Sequence, residues 1–189
     1  GTHLFLTRID PENHPLGAKL SKLEFGTSTG RQRMVGWFDA VEKGDALRHC
    51  GFDDFAINKL DVLSHTDDWN GDMKICVAYR KPDGGILRRV PRHDVLRHTL
   101  EPVYESLPGW SEDLTDAKSF ADFPPNAKRY VGRMVSSVLD VAFPQGFEGR
   151  ELPQVRYVGV GPEPGQVIRD APPTLRLIEK FAEPSVAVT

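Results

Sequence analysis

A chain of 189 residues with 39% hydrophobic content is long enough to bury one real core, which fits one domain or a large piece of one. A formal charge of −3 argues against a dedicated nucleic-acid binder, because such domains carry a basic face. No apolar run approaches the roughly 18 residues of a membrane span, and the first 25 residues lack the apolar core of a signal peptide, so neither is expected.

In chain order, residues 4–9 form a short apolar run, followed by a loop around "DPENHPLG" (10–17). Next comes "FGTSTGRQRMVGW" (25–37), too polar for a core and too rich in glycine for a stable helix. It is either a solvated loop or a loop built to close on negative charge. "WFDAVEKGDALRHCG" (37–51) predicts a helix with Phe38, Val41, Ala46 and Leu47 on one face, Asp39 near its start and Gly51 as its cap. "FAINKLDVL" (55–63) and "MKICVAYR" (73–80) predict short buried strands, with a turn at "PDGG". "PNAKRYVGRMVSSVLDV" (125–141) predicts a helix with Pro125 in its first turn and Tyr130, Met134, Val138 and Val141 on one face. "VRYVGVG" (155–161) predicts a further strand, and the last eight residues a loose tail. Strands and helices alternate without an internal repeat or boundary, which makes the class α/β or α+β.

Cys50 and Cys76 form no CxxC and are expected to be buried, reduced thiols in a cytosolic protein. The six histidines show no metal-ligand spacing, so no protein-held metal is expected. Ser136-Ser137 and Ser64-His65 stand apart from any nucleophile motif and are expected on a helix surface or in a loop.

Three stretches could carry chemistry. Asn58-Lys59-Leu60-Asp61 has the NKxD form found in guanine-reading loops. A carboxylate such as Asp61 can accept from both N1–H and the 2-amino group of guanine, whereas adenine would leave it unpaired. The stem of Lys59 can lie over a base. The plainer reading is a surface Lys–Asp pair at a strand end. The 25–37 loop offers hydroxyls (Thr27, Ser28, Thr29), backbone freedom (Gly26, Gly30) and the guanidiniums of Arg31 and Arg33, whose planar forks suit carboxylate or phosphate. "YVGVGPEPG" (157–165) ends a strand in free backbone amides, as a plain turn or as a contact for a base or sugar. No GxxxxGK[ST] phosphate loop occurs in the chain.

Taken in order, "GTSTGRQRMVGWFDAV", "NKLDVL", "KICVAYR", "EPVYESLPGW", "FPPNAKRYV" and "VGVGP" resemble the C-terminal half of adenylosuccinate synthetase, from about Phe25 to Pro162. That resemblance implies an α/β fold with part of a mostly parallel central sheet, flanking helices and long loops, related to P-loop nucleotide-binding folds. It implies GTP-dependent ligation of L-aspartate to IMP, through 6-phosphoryl-IMP, giving adenylosuccinate, GDP and phosphate with Mg2+. It further implies a cytoplasmic homodimer in purine biosynthesis, with neither nucleic acid nor membrane as partner.

By the same resemblance, Thr27, Ser28, Thr29, Gly30, Arg31, Gln32 and Arg33 form the loop that closes over L-aspartate. Thr29 and Arg31 hold its carboxylates, Arg31 also reaches the IMP side, and Arg33 lies between aspartate and GTP. Lys59, Leu60 and Asp61 form the guanine site, completed by the backbone of Gly159, Val160 and Gly161. The family's phosphate loop, general-base aspartate and histidine lie in its N-terminal half and have no counterpart in residues 1–189. The chain is thus expected to be the C-terminal portion of such a domain, inactive alone, with no catalytic residue or metal ligand of its own and Mg2+ bound mainly by the missing half. A cut piece should also expose apolar surface and self-associate. Arg8 replaces an acidic residue of the family pattern, and Glu163-Pro164 stands where Asp-Arg is usual. Those departures open one alternative, a phage-type relative that uses dGMP; a second is a guanine-nucleotide-binding module that kept the guanine loop and lost catalysis.

Overall fold

The computed structural model describes residues 4–64, 69 and 71–183. The order is α1 (Pro15–Ser21), β1 (Phe38–Asp39), α2 (Ala40–Cys50), β2 (Asp54–Ile57), β3 (Met73–Arg80), β4 (Ile86–Leu87), α3 (Asp94–Arg97), β5 (Glu101–Leu107), α4 (Pro125–Ala142), β6 (Gln154–Gly159), β7 (Val167–Ile168) and α5 (Thr174–Phe181). Single 3-10 turns occupy Asp61–Leu63 and Phe120–Asp122.

β3 organises one sheet. Met73, Ile75, Cys76, Ala78 and Tyr79 are buried, the near-continuous apolar run of a strand covered on both faces. One edge pairs antiparallel with β5, from Met73↔Leu107 to Arg80↔Glu101. The other edge carries β1 in parallel (Phe38↔Ile75, Asp39↔Cys76) and β4 antiparallel (Tyr79↔Leu87). A second sheet has β6 at its centre, parallel to β2 (Asp54↔Gln154, Ile57↔Val158) and antiparallel to β7. The α/β class with flanking helices is therefore present, in mixed sheets whose parallel pairs hold β1, which follows the 25–37 stretch, and β2 and β6, which lead into the turn at Lys59 and the Gly159–Gly161 segment.

The 18-residue helix α4 supplies the largest core face, with Tyr130, Val131, Val135, Val138 and Leu139 among its buried residues. It packs on α2 and α5. Gly44 of α2 makes the first contact possible: a Cβ there would lie 2.5 Å from Val141 Cβ and 2.7 Å from the Val138 carbonyl oxygen. An apolar cleft of about 270 Å3 remains between β1, β2 and α4, lined by Phe38, Phe52, Phe55, Ile57, Met134 and Val138.

β1 passes directly into α2 through Asp39, the N-cap. Its Oδ1 accepts from the Val41 and Glu42 amides, both at 3.0 Å, and its Oδ2 accepts from the Tyr79 hydroxyl at 2.7 Å. Burial raises the Asp39 pKa, and those three donors oppose the rise. Burial and the Asp39 charge together push the Tyr79 hydroxyl up. At the other end of α2, Gly51 has φ 67° and returns its amide to the Leu47 carbonyl at 3.0 Å, as a capping glycine does.

α1 stands where a loop was expected. Pro15 opens it, and His14 caps it by accepting the Leu16 amide on Nδ1 at 3.1 Å. The imidazole meets Trp37 and Trp69 edge-on, at centroid distances of 5.3 and 5.9 Å. Burial, and then the Lys74 charge, lower its pKa from 6.5.

Other expectations need correction. Phe38 belongs to β1, and the helix begins at Ala40. The strand predicted over 55–63 ends at Ile57, because Lys59 turns the chain with φ 65°. Cys76 is buried, but Cys50 is exposed, as the last residue of α2 on its solvent side. Ser136 and Ser137 are buried rather than on the helix surface: α5 and β3 pack on α4, with Arg133 bridging Glu105 and the Ala182 carbonyl. His65 and most of the expected tail (184–189) lie outside the described residues. Among the described residues no helix is long and apolar enough to cross a membrane.

Gly44→Ala should cost about 2 kcal/mol, since the β-carbon must force apart two packed helices; chemical denaturation measures this. For His14, a folded pKa below 6.5 means that the folded state prefers the neutral ring. Its contribution is fully present above 6.5 and is lost as pH falls through the folded value. The denaturation midpoint should therefore drop from pH 7 to pH 5, and His14→Asn, which caps without titrating, should flatten that slope.

Candidate functional site

The 25–33 stretch is a hairpin rather than a slack loop. Phe25 and Gln32 pair across it, the Arg33 amide donates to the Glu24 carbonyl at 2.9 Å, and the Gly26 amide donates to the Arg31 carbonyl at 2.8 Å. The tip closes through the Gly30 amide on the Gly26 carbonyl at 2.8 Å, with Gly30 at φ 61°, a geometry that glycine adopts without strain. Thr29 Oγ1 accepts the Arg31 amide at 3.3 Å, and Gln32 Nε2 donates to the Ser21 carbonyl at the end of α1. Thr27 through Arg33 are all exposed. A cleft of about 710 Å3 opens beside them, lined by Thr29, Arg31, Gln32, Arg33, Met34 and Lys43. The guanidiniums of Arg31 and Arg33 thus border one space.

The second element is the turn after β2. Lys59 is the non-glycine residue with positive φ among the described residues, a conformation that costs a residue with a Cβ free energy. The turn presses Leu60 into the core at 1% exposure and leaves Lys59 exposed, with Asp61 half-buried at the start of the 3-10 turn. From α1, Lys19 donates to the Ser64 carbonyl at 2.9 Å. Burial lowers the Lys19 pKa, and the nearby Asp61 charge opposes this.

The third element, Gly159–Gly161, lies against that turn. The Leu60 amide donates to the Gly159 carbonyl at 3.2 Å, and a Cβ on Gly159 would come within 3.2 Å of Asn58 Oδ1. The Val160 side chain is fully buried, so this segment can offer a ligand only its backbone. Gln166 holds the loop in shape: its backbone carbonyl accepts from Val160, its Oε1 accepts from Glu163, and its Nε2 donates to the Thr115 carbonyl.

Glu24, which sequence reasoning passed over, joins the first two elements. Its carboxylate pairs with Arg33 at 3.4 Å and also with Lys59. The arginine hairpin and the NKLD turn, 35 residues apart at these contacts, therefore meet on one acid. Lys43, Lys19 and Gln166 were missed as well. The one local signal for Glu24 is its place opposite Arg33 at the base of the hairpin, a cross-strand acid–base pair. Among the described residues no group of three His, Cys, Asp or Glu side chains gathers as a metal site.

Two loops of opposite chemistry, one rich in guanidiniums and one presenting a carboxylate beside backbone amides, are thus held together at the ends of parallel strands. Exposed guanidiniums of this kind are chemically suited to carboxylate or phosphate groups. A sequence model of the adenylosuccinate synthetase family matches residues 4–167. The adenylosuccinate synthetase of Acidothermus cellulolyticus is 42% identical over 155 residues, which is 81% of this chain and 32% of that protein. The Bacillus licheniformis enzyme is 44% identical over 124 residues, 65% of this chain and 28% of that one. Among solved structures, fully ligated adenylosuccinate synthetase from Plasmodium falciparum superposes with a TM-score of 0.72 at 28% identity, covering 90% of this chain and 37% of that one. The chain belongs to the adenylosuccinate synthetase family, and it spans about a third of the length of these relatives.

Exposed ion pairs of the Glu24 kind contribute about 0.2–1 kcal/mol each. Glu24→Gln should accordingly raise the rate of trypsin cleavage after Arg31 and Arg33 by about two- to fivefold while the global denaturation midpoint barely moves.

Proposed function

We propose that this chain carries the aspartate loop and guanine site of a GTP-dependent ligase that joins L-aspartate to IMP, giving adenylosuccinate, GDP and phosphate. The observation that carries this reading is the shared carboxylate of Glu24, which brings Arg33 of one loop and Lys59 of the other together in a chain of this family. Loops that serve two co-substrates must be neighbours if those substrates are to react with a common partner.

In this reading Thr29 and Arg31 hold the two carboxylates of L-aspartate, with Arg31 also facing IMP. Thr27, Ser28, Gly30 and Gln32 form the rest of the closing hairpin. Arg33 lies between aspartate and GTP, and both Arg33 and Lys59 exchange their contact with Glu24 for substrate groups as the site fills. Lys59 covers the guanine face, Asp61 accepts from N1–H and the 2-amino group, and Leu60 anchors the turn. Gly159, Val160 and Gly161 complete the base pocket with the backbone groups that Leu60 and Gln166 do not already hold. The chemistry runs in two steps: GTP phosphorylates the purine oxygen of IMP, and the aspartate amine then displaces phosphate. Closure of the hairpin excludes water that would hydrolyse the phosphorylated intermediate.

Among the described residues no three His, Cys, Asp or Glu side chains gather to hold the magnesium ion. The phosphate cradle, general base and most of the Mg2+ contacts belong, in this reading, to the part of the family chain outside residues 1–189, in a cytoplasmic homodimer.

The test has three arms. The 189-residue chain mixed with IMP, L-aspartate, GTP and Mg2+ should show no turnover above background; enzyme-like turnover would overturn the division of labour. A form of the protein that also contains the phosphate-loop half should use IMP, and use of dGMP instead would overturn the assigned purine. In that form Asp61→Asn should reduce the preference for GTP over ATP by about 100-fold, with a far smaller effect on the KM for L-aspartate.

A further inference from the structure

A cleft of about 980 Å3 lies between the C-terminal end of α2, the end of β4 and the segment through α3. Its wall carries Arg48, Lys81, Arg89, Arg92 and Arg97 against one lining carboxylate, Asp45. In a chain whose formal charge is −3, this is a local reversal of sign, and a concave wall of one sign focuses the field within it.

The cations fall into two groups. Some are held in place by the protein. Arg48 donates to the Val141 and Ala142 carbonyls and pairs with Asp45 at 3.6 Å. Lys81 pairs with Asp83 at 2.8 Å, and Arg97 lies 3.9 Å from Glu42. Asp45 also accepts the Val90 amide at 3.4 Å, which ties the Arg89–Arg92 segment to α2. The others face the cleft without a protein partner: among the described residues the side chains of Arg89, Arg92 and His93 make no hydrogen bond or ion pair, and all three are exposed. An acid-poor wall that leaves two guanidiniums unpaired, over a floor containing Leu87, Pro91 and Leu96, lacks its counter-charge.

We propose that this cleft binds a small molecule bearing a di- or triphosphate group, with Arg89 and Arg92 as its main ligands. The cations reach the cleft from three separate stretches, Arg48 on α2, Lys81 after β3 and Arg89 to Arg97 beyond β4, and linked phosphates present several charges along one chain to match them. Guanidinium forks match phosphate oxygens two at a time. The apolar floor accommodates an organic group where the phosphates are the tail of a nucleotide. The cleft is separate from the aspartate and guanine loops. Its nearest link to them is Glu42, which pairs with Arg97 and also borders the hairpin cleft.

The test is calorimetric titration of the protein with sodium tripolyphosphate, ATP and citrate at constant ionic strength. Tripolyphosphate should bind saturably at one site. Arg89→Glu with Arg92→Glu should weaken it by about tenfold or more, and the milder Arg89→Gln with Arg92→Gln by less, while thermal melts stay unchanged. Arg31→Ala with Arg33→Ala should leave it intact. ATP bound more tightly than tripolyphosphate would identify a nucleotide as the source of the phosphates, and equal affinities would identify the free polyphosphate. The inference is overturned by absence of saturable binding, by citrate binding as tightly, or by loss of binding in the Arg31/Arg33 variant instead.

Discussion

The buried carboxylate of Asp39 sets the frame in which both loops sit. It ends β1, caps α2 with two amide bonds and takes a third from Tyr79, on the strand paired with β1. A two-residue strand has little hold of its own, with one short register on β3. The cap converts it into a fixed corner: sheet, helix and loop must leave Asp39 in set directions, because an oxygen deprived of its donor at that depth is costly. The hairpin of Thr27–Arg33 hangs from this corner through Val35 and Trp37, whose backbones bond Ile9 and Thr7. The position of the arginines thus follows from a bond some distance away.

Against that fixed frame the loops themselves are lightly held. Among the described residues the Arg31 side chain makes no hydrogen bond or ion pair, and Arg33 and Lys59 share one partly exposed acid. Such contacts are weak in water and exchange readily. A rigid corner carrying weakly held cations suits a site that must stay open for entry and tighten on anionic groups once they arrive.

Much of this was legible in the sequence where a pattern had one physical solution. The buried run of β3, the amphipathic α4, Asp39 near the start of α2 and the Gly51 cap were read correctly, because burial on both faces, a period of 3.6 and cap chemistry each leave a local mark. What escaped depended on partners distant in sequence. α1 hides behind Pro and Gly and is held by its histidine cap and the Trp37 and Trp69 contacts. Ser136 and Ser137 look like surface residues in the sequence but are buried once α4 packs into the fold. The candidate loops were found by their residue types, but their meeting on Glu24 was not, since the sequence records neither the direction of a hairpin nor the carboxylate between two loops. β2 was drawn too long because an apolar run continues through Leu60, while the backbone reverses at Lys59.

That reversal has a consequence for how this segment can change over time. A left-handed lysine carries a conformational cost of about 1–2 kcal/mol that glycine would avoid. Position 59 is therefore a place where the chain could become more stable by a single step and has a side chain there instead. Drift toward glycine would be invisible to any screen for folding, and it would erase the ammonium that faces Glu24. A thermostabilised version of the protein with glycine at position 59 would have lost that ion pair together with the strain.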